Sequence, residues 1–222
     1  MQATARRFQR ENLSSVVVAY VKEQILSGAY LEGDHVLESD IATHLGISRA
    51  PVREGMKELE NDGIVTVLPR KGAYITRFSE ADMKEVFDIR LLLENNILEI
   101  LINENRLKDQ HLDTLDQIVK EMVDTVNGSG SQQEKALVIN QKDIEFHRFI
   151  WKLSGSERRV QILEGLFFQL RMAMLYDTNE TGNLMTTATD HYQILKHLRN
   201  RDLKNAKTAL RGHIISYKAG RF

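Results

Sequence analysis

The stretch Ile47-Ser48-Arg49-Ala50-Pro51-Val52-Arg53-Glu54 constrains this chain more than any other. Ser48 stands where a helix wants its N-cap, because its hydroxyl can accept from the free N–H groups of a first turn. Pro51 is tolerated only near such a start, where a missing N–H costs nothing. Arg49 and Arg53 are four residues apart, so they share one helix face. Just upstream, residues 38–45 read as a short helix with Ile41, Ala42 and Leu45 on its apolar side, and Gly46 supplies a tight turn. Two helices joined in this way form a helix-turn-helix. A helix N-terminus carrying two outward arginines suits phosphates and guanine edges, so the pattern predicts contact with DNA.

Downstream, Gly63 ends the second helix. Residues 64–68 and 73–76 then read as two β runs around the basic turn Pro69-Arg70-Lys71-Gly72. This is a wing, whose tip can approach the minor groove or the phosphates. Residues 1–78 hold ten Lys/Arg and ten Asp/Glu, so the segment is neutral overall. Its basic groups are local: Arg6, Arg7 and Arg10 in the tail, Arg49, Arg53 and Lys57 on one helix, Arg70 and Lys71 in the wing. Such a footprint attracts DNA weakly per copy, which argues for a homodimer that doubles the contacts. The plain alternative, ordinary solvated charge, leaves the helix-turn-helix and wing unexplained.

Residues 13–77 resemble the N-terminal domain of the GntR family of bacterial transcription regulators. The resemblance rests on Ala19 to Gly28, on Ser48 to Glu54, on Leu59 to Gly63 and on Arg70-Lys71-Gly72. It implies DNA-binding roles for Ser48, Arg49, Arg53, Arg70, Lys71 and Gly72. Leu31-Glu32-Gly33-Asp34 departs from the family's proline-glycine turn. Ser39 stands where one branch has a further DNA-contacting arginine.

At 222 residues with 42% hydrophobic and 27% charged residues, two prolines and no cysteine, the chain reads as an ordered, mostly helical, soluble protein. It has no means of forming disulfides or thiolate metal sites, which agrees with a cytoplasmic location. No apolar run approaches the roughly 20 residues of a membrane span. The arginine-bearing N-terminus lacks the apolar core of a secretory signal. A boundary falls near Arg77 to Glu80, giving a winged helix-turn-helix domain at 1–78 and a second domain at 79–222. In the second, the periodicity predicts six helices, at about 80–104, 109–127, 132–153, 157–178, 183–200 and 202–219. The fold class is therefore mostly α, with an antiparallel helical bundle following the winged domain.

Asp143 and His147 are spaced i,i+4, and His147 shares its side with Ile144 and Trp151, which points it inward. His191 falls on a stripe with Leu184, Ala188, Leu195 and Leu198, and His213 on one with Leu203, Ala206, Leu210 and Tyr217. Buried imidazoles need partners. Spacing alone allows either ordinary core histidines bonded to carbonyls or a divalent-metal site. Residues 80–220 resemble the FCD ligand-binding domain of the FadR branch of the same family. That likeness rests on Val86 to Arg90 with Glu94, Asp143 to His147, Asp190 to Ile194 and Arg211 to Ile214. The helix count sits nearer the vanillate-repressor subgroup. The resemblance implies a metal held by Asp143, His147, His191 and His213, with zinc expected first and nickel, manganese or iron as other fits.

Arg90 and Arg171 are candidate anchors for a small carboxylate effector, since a fixed guanidinium grips a carboxylate bidentately. The competing reading of Arg90 is an intrahelical pair with Glu94. Phe167, Phe168, Leu170, Met172 and Met174 read as core, a dimer contact or a pocket lining. His35, His44, His111 and His197 have no assigned role. The expected function is a repressor on a palindromic double-stranded operator, relieved by a small organic acid at the metal pocket. The alternative is a metal-dependent hydrolase on the bundle, because three histidines and a carboxylate can activate water. That reading lacks a general base and leaves residues 38–76 without a purpose.

Overall fold

The computed structural model describes the backbone of residues 2–77, 79–178 and 183–216, and within these the side chains other than those of 2–12, 80, 83, 167, 170–178, 215 and 216. The basic tail (Arg6, Arg7 and Arg10), Arg171 and Tyr217 therefore lie outside the described side chains, as do Phe167, Leu170, Met172 and Met174. The chain divides into two compact units, residues 1–79 and 80–222.

The first unit runs α1 (Gln2–Leu26), β1 (His35–Val36), α2 (Glu38–Leu45), α3 (Arg49–Asn61), β2 (Val65–Leu68) and β3 (Gly72–Ile75). The three strands make an antiparallel sheet in the order β1-β3-β2, with Val65 opposite Ile75 and Leu68 opposite Gly72. The wing is thus present, with one addition: β1, too short to leave a periodic pattern, pairs His35 with Tyr74 and Val36 with Ala73. The turn before it forms without a proline. Gly33 takes φ +83°, its N–H donates to Ile75 O (2.9 Å), and the Asp34 carboxylate accepts from Leu31 N (2.8 Å). Gly46 ends α2 in the left-handed region at φ 64°, as a helix stop before a tight turn requires.

α3 buries Pro51, Val52, Gly55, Met56 and Leu59 and leaves Arg49, Arg53 and Lys57 exposed. Gly55 is the contact point with α1. A Cβ built there would lie 2.8 Å from the Val17 side chain and 2.9 Å from Ser14 O. A mid-helix glycine costs about 1 kcal/mol relative to alanine, so here the close approach outweighs propensity.

The described residues of the second unit form six helices: α4 (Glu80–Asn103), α5 (Asp109–Asn127), α6 (Gln132–Leu153), α7 (Glu157–Thr178), α8 (Leu184–Arg199) and α9 (Leu203–Ser216). Local chemistry fixes several starts. Ser131 and Glu134 form a reciprocal capping box at α6, and the Asn183 side chain accepts from Thr186 N at α8 (3.2 Å). Apolar faces from α4 to α9 form one core that includes Phe87, Leu98, Leu115, Met122, Phe146 and Trp151. Among the described residues no helix is long and apolar enough to cross a membrane.

Gly55→Ala should lower the unfolding free energy of the first unit by about 1–3 kcal/mol through overpacking against α1, despite alanine's better helix propensity. Urea unfolding followed by circular dichroism measures this. An unchanged or raised midpoint would mean that α1 can shift away without cost.

Candidate metal centre and nucleic-acid interface

Asp143 and His147 project from one face of α6, His191 comes from α8 and His213 from α9. All four side chains are fully or almost fully buried. Their ligand-type atoms lie within 4.8 Å of one another. Asp143 Oδ1 is 3.1 Å from His191 Nε2, 3.2 Å from His213 Nε2 and 3.9 Å from His147 Nε2. His147 Nε2 and His213 Nε2 are 3.1 Å apart.

The outer nitrogens explain which way the lone pairs face. His147 Nδ1 is 2.7 Å from Glu94 Oε2, and His191 Nδ1 is 2.8 Å from the carbonyl oxygen of Thr187. Both partners only accept, so both Nδ1 atoms carry the proton. In the neutral rings Nε2 then offers a lone pair toward Asp143. A proton on His213 Nε2 answers one of these contacts, not all. Converging lone pairs beside a carboxylate repel unless a cation lies among them. Donors about 2.0–2.1 Å from one ion at angles near 90–110° stand roughly 2.8–3.4 Å apart, which three of the four separations match. Three imidazoles and one carboxylate fit zinc, nickel, manganese or iron(II).

Glu94, expected from sequence only as an intrahelical partner for Arg90, also reaches the cluster. It lies on α4, bridging His147 and Arg90, whose Nε donates to Glu94 Oε1 at 2.6 Å. Burial would raise the Glu94 carboxyl, but His147 and the Arg90 guanidinium outweigh it and hold it at about 2. The intrahelical pair weighed against an effector role for Arg90 is therefore formed. It is also more than a surface pair, because it sits behind a histidine of the cluster. Burial pushes His213 down to about 3, helped by neighbouring His191, and burial likewise lowers His147.

In the first unit, Ser48 has N-cap backbone angles (φ −73°, ψ 161°) but its side chain makes no capping hydrogen bond. This corrects the capping role read from sequence. The third helical residue is Pro51, which lacks the N–H that a serine cap usually receives. Arg49 and Ser48 are exposed, and Arg53 Nε pairs with Glu38 Oε2 at 3.0 Å. At the wing tip Lys71 N donates to Leu68 O (3.0 Å), closing a turn through Pro69 and Arg70. Arg70 takes φ 63°, a conformation disfavoured for a residue with a side chain. Gly72 takes φ 98°, and a Cβ there would strike the His35 ring, which stacks on Tyr74 at 4.7 Å. His35, given no role from sequence, thus buttresses the wing.

The two depressed histidines set an acid sensitivity. A His213 that titrates near 3 when folded and near 6.5 when unfolded leaves the unfolded chain binding more protons between those values. Its contribution is present above pH 6.5 and is lost as pH falls through that window. Chelator-treated protein should lose on the order of 2 kcal/mol of unfolding free energy between pH 7 and pH 5. Urea melts at the two values test it, and equal stabilities would contradict a buried neutral His213.

Comparison with known proteins agrees with both units. The bacterial regulatory protein gntR family matches residues 13–75, and the FCD domain matches residues 85–216. The HTH-type transcriptional regulator YdhC of Bacillus subtilis is 25% identical over 89% of this chain and 84% of its own length. A Paenarthrobacter nicotinovorans protein described as a probable D-xylose utilization operon transcriptional repressor is 25% identical over 98% of this chain and 92% of its own. The solved structure of E. coli McbR/YncC superposes with a TM-score of 0.77, covering 93% of this chain and 95% of that one at 20% identity. A Rhodococcus GntR structure superposes at 0.70, at 19% identity, over 94% and 98%. These relatives are regulators, so the hydrolase alternative has no support. The chain belongs to the GntR family of DNA-binding transcription regulators, with a C-terminal FCD domain.

Proposed function

We propose that this regulator is a homodimeric repressor on a palindromic operator, released when a small organic acid reaches a divalent metal held by Asp143, His147, His191 and His213. The observation that carries the reading is the four-way convergence of buried donor atoms, with Glu94 and the Thr187 carbonyl fixing two imidazoles in the ligating tautomer. A bound divalent ion would supply positive charge and coordination positions for a carboxylate. Asp143 and Glu94 bring two negative charges and Arg90 one positive, so a divalent ion leaves the region at net +1, which one carboxylate neutralises. Arg90 contributes that charge from behind Glu94. For Arg171, the other effector candidate, the proposal rests on the sequence alone.

On DNA, Arg49 and Arg53 of α3 would read bases or phosphates in the major groove, with Ser48 free for a phosphate because capping does not occupy it. Arg53 exchanges Glu38 for DNA. Arg70, Lys71 and Gly72 would carry the wing to the minor groove or its backbone. A neutral first unit supports pairing of two copies on two half-sites. The carboxylate relieves repression only if it binds better to a dimer arrangement that holds DNA poorly.

Elemental analysis of purified wild type should give close to one metal per chain, and His191→Ala should lose it. A folded, DNA-binding wild type without metal would end the metal reading. Binding to a duplex selected from a random pool tests the DNA face. Arg49→Ala should weaken it by about 1–3 kcal/mol, whereas Arg70→Gly should weaken it while stabilising the fold by up to about 1 kcal/mol. Full affinity in Arg70→Gly would remove the wing tip from the interface.

A further inference from the structure

On the α6 stripe that carries Asp143 and His147 lies a buried polar side chain that the metal reading does not use. Asn140 is 2% exposed, and both its amide oxygen and its amide nitrogen are buried without a hydrogen-bond partner among the described residues. Leaving such groups unmet costs about 1–3 kcal/mol each, and a leucine or methionine of similar size would avoid the cost. Its neighbours along α6 show the apolar solution: Ala136, Ile139, Ile144 and Ile150 are all buried. Asn140 precedes Asp143 by three residues and His147 by seven, so it lies on the stripe that carries the two ligands. The rise from Asn140 to Asp143 is about 4.5 Å, the reach of a short organic acid rather than of an ion.

From this placement, and resting on the carboxylate reading above, we propose that Asn140 reads a hydroxyl group on the effector, which is therefore a short hydroxycarboxylic acid. A primary amide offers one acceptor oxygen and two donor hydrogens. A hydroxyl donates and accepts at one atom, so it can meet both halves of the amide. A second carboxylate can only accept, and would leave the Asn140 oxygen unmet. With the acid's carboxylate at the Asp143–His147–His191–His213 cluster, a hydroxyl on the adjoining carbons falls toward Asn140. A site built to bond a hydroxyl discriminates strongly against the analogue that lacks it, because its own polar atoms are then stranded.

The test compares lactate with propionate, and 3-hydroxybutyrate with butyrate, by calorimetric titration of metal-loaded full-length protein. Wild type should bind at least one hydroxy acid about tenfold or more tightly than its deoxy partner. Asn140→Leu should bring that pair within about twofold, keep its metal content and deoxy-acid affinity, and melt no lower than wild type. A wild type that binds both members of each pair equally overturns the role of Asn140 and leaves the carboxylate reading standing. A metal-loaded wild type that binds none of the four acids overturns both. A preference that survives unchanged in Asn140→Leu overturns the assignment to this residue.

Discussion

The second unit is organised around a repulsion that the fold must answer. Three imidazole nitrogens and a carboxylate oxygen, carried on α6, α8 and α9, meet out of contact with water. Apolar packing brings the three helices together but cannot orient lone pairs. That task falls to Glu94 and the Thr187 carbonyl, which accept hydrogen bonds from the Nδ1–H groups of His147 and His191 and turn Nε2 inward. A buried carboxylate next to a neutral imidazole would itself be costly, and Arg90 offsets it from the same helix, one turn away. The order of dependence runs outward: Arg90 keeps Glu94 charged, Glu94 aligns His147, and His147 completes the cluster.

Helical spacing made much of this legible. Asp143 and His147 at i,i+4 declare a shared face, and the apolar stripes of α8 and α9 place His191 and His213 inward. The six helices described in the second unit begin within a few residues of where periodicity puts them, and α4, α5, α6 and α8 also end within a few residues of it. Glu94 was not legible as a partner of His147, because 53 residues separate them and an Arg90–Glu94 spacing of four looks like any surface pair. Burial, not spacing, distinguishes it. Asn140 escaped for a related reason: an asparagine within a polar helical stretch gives no sign that its amide is left unmatched.

In the first unit the sequence signals were strong but partly ambiguous in mechanism. Ser48 looks like a cap and occupies the cap position, yet Pro51 removes the donor it would have received. The same proline that marks the helix start therefore frees the serine for another partner. β1 left no trace because two residues have no period. Gly55 reads as a propensity defect until α1 is placed against it. β1 and the packing of Gly55 depend on contacts between segments distant in sequence, whereas the Ser48 outcome is local, set by a proline three residues on.

Strain and unmet polarity each occur at a position where a partner is proposed. Arg70 holds a left-handed conformation at an exposed wing tip, where glycine would relieve the backbone but remove the charge. Arg53 sits in an exposed pair with Glu38, an interaction too weak to resist a phosphate. Asn140 has two buried polar atoms without a partner among the described residues, on the stripe that carries Asp143 and His147. Within the chain alone, glycine at 70 and leucine at 140 would be the more stable choices. These positions are where DNA and a small acid, as proposed above, would complete the structure.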